Sequence, residues 1–82
     1  MQLNDTTQAK VRNIIATWLD VDFDEVLPNK RIMADLCGDS LDCVEIIMAM
    51  EDEFDILLQE PLEDTDDPTV QELFDMLAKA RN

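Results

Sequence analysis

The chain has 82 residues, enough for one small core and no more. Its 20 acidic and 6 basic residues leave a formal net charge of -14, which sets it against nucleic acid and anionic membrane, whose phosphates it would repel. Basic proteins or divalent cations are the partners such a charge favours, and a hydrophobic content of 46% in periodic groups points to a fold rather than a disordered acidic tail.

The first ten residues, MQLNDTTQAK, lack the basic region and apolar core of a signal peptide. No apolar run is long enough to span a bilayer, so no membrane insertion is expected and a cytoplasmic protein is. In that reducing compartment Cys37 and Cys43 are expected as thiols.

In chain order, Val11, Ile14, Ile15, Trp18 and Leu19 recur at helical steps and predict a helix over about 5–19. It starts in the capping residues Asn4 to Thr7, with Lys10, Arg12 and Asn13 on the outer face. Residues 20–39 read as a long connection whose scattered apolar side chains, Val21, Val26, Leu27, Ile32, Met33 and Leu36, should pack on the core. A second helix is expected over 40–54, with Asp39 as N-cap and Asp42 completing a box-like start. Ile46, Ile47, Met50 and Phe54 form its inner stripe, and Leu41, Val44 and Met48 a second apolar strip set among acids. Pro61 and Pro68 bracket an ambiguous acidic piece in which a short helix over 60–66 is allowed. A last helix is expected over 69–80, opened by a Thr69–Glu72 capping box, with Val70, Leu73, Phe74 and Leu77 inward. The fold class is therefore all-α, a small antiparallel bundle of three main helices in a single domain, 1–82.

Two chemical readings fail on residue type. The G-D-S-L at Gly38 to Leu41 resembles the surroundings of a hydrolase serine, but a serine needs a base, and the chain has no histidine. Asp20, Asp22 and Asp24 open a D-x-D-x-D calcium loop, yet Glu25 stands where glycine must turn the chain and Arg31 where the bidentate glutamate belongs. No catalytic residue and no specific metal site are expected.

The stretch from Asp35 to Ile56 resembles the signature of acyl carrier proteins, D-L-G-x-D-S-L-D-x-V-E-L followed by an acidic stretch ending in E-F. Asp35, Leu36, Asp39, Ser40, Leu41, Asp42, Val44, Glu45, Met48, Glu53 and Phe54 match at the right spacing, and TVQELFDML looks like the family's last helix. The resemblance implies that Ser40 is the attachment point of 4'-phosphopantetheine, taken from coenzyme A by a phosphopantetheinyl transferase. The protein would then be a monomeric carrier rather than an enzyme. It would shuttle acyl thioesters between acyltransferases, ketosynthases and other acyl-processing enzymes with basic docking patches, in fatty acid, polyketide or related lipid biosynthesis. Asp39, Leu41, Asp42, Val44, Glu45, Met48, Glu51 and Asp52 would form the recognition face, and an apolar cavity would lie between helices. The competing reading is an acidic adaptor of the same fold that binds a basic partner and carries no acyl group.

The chain departs from the family pattern at three places. Gly38 lies one residue later than the usual glycine, with Cys37 in its place. Cys43 lies beside the attachment point, and both cysteines are read as small apolar fillers, against a mixed disulfide with the arm's thiol as the reactive alternative. Asp66, Asp67 and Pro68 stand where the family has an apolar residue before its T-V.

Overall fold

The computed structural model describes residues 4–58 and 67–81. The segment on which a short helix over 60–66 is expected lies outside the described residues, as does the side chain of Arg81. Among the described residues there are three α-helices, α1 (Asp5–Leu19), α2 (Ser40–Phe54) and α3 (Val70–Arg81), with a 3-10 turn at Phe23–Glu25 between the first two. No helix among the described residues is long and apolar enough to cross a membrane.

Local chemistry sets each helix start. Asn4 is extended and its Oδ1 accepts the Thr7 N–H at 2.8 Å, so α1 begins one residue later. At α3, Thr69 Oγ1 accepts the Glu72 N–H at 3.1 Å and Glu72 Oε1 accepts the Thr69 N–H at 2.8 Å, a reciprocal capping box. That box makes Thr69 the cap and Val70 the first helical residue. Helices α1 and α2 end without glycine: Asp20 (φ 56°) and Asp55 (φ 54°) take the left-handed conformation themselves. Asp20 is thus spent on a helix end, and Asp22 opens the 3-10 turn with Glu25 Oε2 accepting its N–H at 3.2 Å.

Helix α1 is the shared support, packed against α2, α3 and the 3-10 turn. The core joins Val11 and Ile15 of α1, Ile46 and Met50 of α2, and Val70, Leu73, Phe74 and Leu77 of α3. Val26, Ile32 and Leu36 of the long connection join them, with Val21 and Met33 partly buried against the core, whereas Leu27, expected to pack with them, is exposed. Two sequence expectations for α1 need correction. Trp18, placed on the inner stripe, is 45% exposed, because the stripe is wider than the face that α2 and α3 cover. Arg12, placed on the outer face, is half-buried and reaches sideways. Its Nε donates to the Val26 carbonyl at 2.8 Å, and its guanidinium lies 4.0 Å from the centre of the Phe23 ring. It ties the long connection to α1.

Candidate functional site

The structure puts Ser40 at the first position of α2, exposed to solvent. The capping work is done by its neighbours. Asp39 Oδ1 accepts the Asp42 N–H at 2.8 Å, and Asp42 Oδ2 accepts the Asp39 N–H at 3.1 Å. The Asp39 carbonyl takes the Cys43 N–H at 3.1 Å, the first bond of the helix. The capping box therefore runs around Ser40 and leaves its hydroxyl out. It also leaves the N–H groups of Ser40 and Leu41 at the positive end of a four-turn helix. A phosphodiester on Ser40 Oγ fits there, since nothing in the box has to be displaced and the first-turn donors face an anion. The two flanking carboxylates would repel it, but each is already engaged by a backbone N–H.

A wound turn over Arg31 to Cys37 leads into this start. Leu36 N–H donates to the Arg31 carbonyl at 3.0 Å, Cys37 N–H to Met33 at 3.2 Å, and Gly38 N–H to Ile32 at 2.9 Å. The displaced glycine has a geometric reason. Cys37 occupies the left-handed region at φ 64°, where glycine would sit without strain. Gly38 does not use positive φ; its Cβ, if present, would lie 2.8 Å from Leu19 Cδ2 and 3.0 Å from the Ile32 carbonyl oxygen. Two demands fall on adjacent residues, and the single glycine answers the steric one.

The two cysteines have different surroundings. Cys43 is buried in the core, and burial first, then the charges of Asp67, Asp42 and Asp39, push its thiol up from 9.0 to about 11. It is a filler and a poor nucleophile. Cys37 is an exposed free thiol, so the reading of both cysteines as core fillers is corrected for this one.

Along α2, Leu41, Val44 and Met48 stand 64%, 51% and 60% exposed at steps of three and four, an apolar strip leading away from Ser40. The acids around them are not equivalent. Asp39 and Asp42 serve the capping box, and Glu51 Oε2 accepts the Leu58 N–H at 2.8 Å, which fastens the chain beyond the helix. Glu45 is half-buried and Asp52 exposed on the same helix. Sequence reasoning missed the far end of this face. Leu57 is 79% exposed, and with Met48, Glu51, Asp52, Asp55 and Ile56 it lines an open cleft of about 450 Å³. The run D-I-L-L gives no sign that Leu57 turns out while Leu58 turns in; the left-handed Asp55 and the Glu51 bond decide it.

What this defines is a small helical domain that offers one uncommitted serine at a helix start, beside an apolar and acidic strip. The family described as "Phosphopantetheine attachment site" matches residues 9–77. An acyl carrier protein of Syntrophobacter fumaroxidans is 44% identical over 73 residues, 88% of each chain. An acyl carrier protein of Picosynechococcus is 55% identical over 47 residues, a match spanning 57% of this chain and 58% of that protein. The chain belongs to the acyl carrier protein family, whose cofactor is 4'-phosphopantetheine.

Proposed function

We propose that the chain is one carrier domain over residues 1–82 that holds acyl intermediates on a 4'-phosphopantetheine arm attached to Ser40. The observation that carries this is the position of Ser40: exposed, at the first turn of α2, with the cap supplied by Asp39. A phosphopantetheinyl transferase joins the arm's phosphate to Ser40 Oγ, the hydroxyl proton is released, and the nucleotide part of coenzyme A departs. When bound, the group supplies a thiol on a flexible tether, which carries an acyl chain as a thioester. The residues of this chain orient the tether and present it. The helix start favours the phosphodiester charge. Leu41, Val44 and Met48 offer apolar contact to a partner, while Glu45, Asp52 and the engaged acids supply a field that speeds and orients encounter with basic docking patches. Ser40 is a substrate of other enzymes and the protein no catalyst. It acts as a monomer in the cytoplasm, serving acyltransferases, ketosynthases and related enzymes.

The test is direct. Apo protein incubated with coenzyme A, magnesium and a broad-specificity transferase gains the mass of one arm, and Ser40→Ala gains none. A mutant that still gains mass moves the attachment elsewhere. A wild type that never gains it leaves the acidic adaptor as the reading to pursue.

A further inference from the structure

Asp67 stands two residues before the α3 cap Thr69, yet its carboxylate is spent on a distant part of the chain. Oδ1 accepts the Met33 N–H at 2.8 Å, and Oδ2 accepts the Ala34 N–H at 3.2 Å, across 34 and 33 residues. Those amides belong to the wound turn that ends at Gly38, one residue before the cap of α2. Asp67 thus caps that turn from outside, as a side chain caps a helix. The far side of the same turn is closed by Gly38 N–H on the Ile32 carbonyl at 2.9 Å, with Gly38 pressed on Leu19 and Ile32. The charge of Asp67 is felt at the start of α2 as well, since it is among the causes that raise the Cys43 thiol.

We infer that Asp67 is a positioning residue for modification at Ser40: it holds the turn 31–38 in the one shape that sets Asp39 and Ser40 at the start of α2. This rests on Ser40 being the attachment point. The backbone already ties α3 to this loop without it. Ile32 N–H donates to Pro68 at 3.0 Å, Val70 N–H to Lys30 at 2.9 Å, and Arg31 bridges Thr69. Removing the carboxylate therefore loosens the turn and leaves the bundle joined. Two turn amides then lose a charged acceptor, and Cys37, held at φ 64°, is free to relax. Fewer molecules present Ser40 in the competent shape, and apparent affinity for the transferase falls by that fraction.

The experiment compares apo wild type, Asp67→Asn and Asp67→Ala as substrates of a phosphopantetheinyl transferase, with amide hydrogen exchange on each. Asp67→Ala should raise KM roughly 3- to 10-fold with kcat held within about twofold. Asparagine keeps the Met33 acceptor and loses the Ala34 one, so it should fall between. Exchange should quicken at Met33, Ala34, Asp39 and Asp42, whose amides are hydrogen-bonded, while the α1 amides around Ile15 stay protected. An unchanged KM in Asp67→Ala overturns the inference. So does exchange that quickens evenly over α1 and α3, which would mark a merely structural residue. If Asp67→Ala does not fold, Asp67→Asn decides by the same two criteria. A wild type that accepts no arm sinks the attachment reading itself, and this inference with it.

Discussion

At the residue scale, Cys37 and Gly38 divide a task that one glycine could not do in both places. A non-glycine residue in the left-handed region is strained by about 1–2 kcal/mol, offset in part by the larger entropy that glycine loses on folding. Cys37→Gly should therefore stabilise the fold by up to about 1 kcal/mol. Gly38→Ala should destabilise it by about 1–3 kcal/mol, because the new methyl meets a backbone oxygen that cannot step aside. Chemical denaturation of the two variants checks both signs. Cys43 makes a separate prediction. Its folded-state pKa, about 11, lies above the ordinary 9.0, so burial as a neutral thiol contributes stability below pH 9 that is lost as pH rises toward 11. Cys43→Ser or Cys43→Ala should flatten the alkaline limb of a stability–pH curve. At pH 8, iodoacetamide should modify Cys37 and leave Cys43 unmodified until the protein is unfolded.

At the element scale, the helix starts are legible in the sequence because caps are local. Asp39 with Asp42, and Thr69 with Glu72, lie three residues apart, and the bonds they make need nothing from the rest of the chain. Asp39→Ala should cost about 1 kcal/mol and fray the first turn of α2, while Asp39→Asn should cost only a few tenths. Thermal melts with hydrogen exchange at Asp42 and Cys43 distinguish the two. What local pattern does not show is which acids remain for partners. Asp42, Glu45, Glu51 and Asp52 look alike on a helical projection. Only the Leu58 amide folding back onto Glu51 tells one of them apart as an anchor. The same holds for Arg12, whose carbonyl partner Val26 lies 14 residues away.

At the scale of the whole molecule, a charge of -14 on 82 residues opposes the compact state. The distance over which exposed charges repel falls to about 10 Å at 0.1 M salt, so sodium chloride or magnesium should raise the melting temperature. Each ~1 kcal/mol of repulsion relieved should raise it by about 4–8 °C in a domain this size. A melting curve unmoved across a salt series would contradict the account. Against that repulsion stands a core whose members come from every described helix and from the long connection. The sequence by itself determined the helical class, the helix starts, the inner stripes of α2 and α3, and the serine in its D-S-L-D-x-V-E surroundings. These depend on side-chain period and on contacts within one turn, which a string of residues displays. The tertiary structure alone decided that Asp67 caps a turn 34 residues away, that Gly38 is where it is for want of space, and that Trp18 and Leu57 face outward. Those outcomes depend on which distant backbone comes within hydrogen-bond or van der Waals reach, and periodicity along the chain carries no record of that.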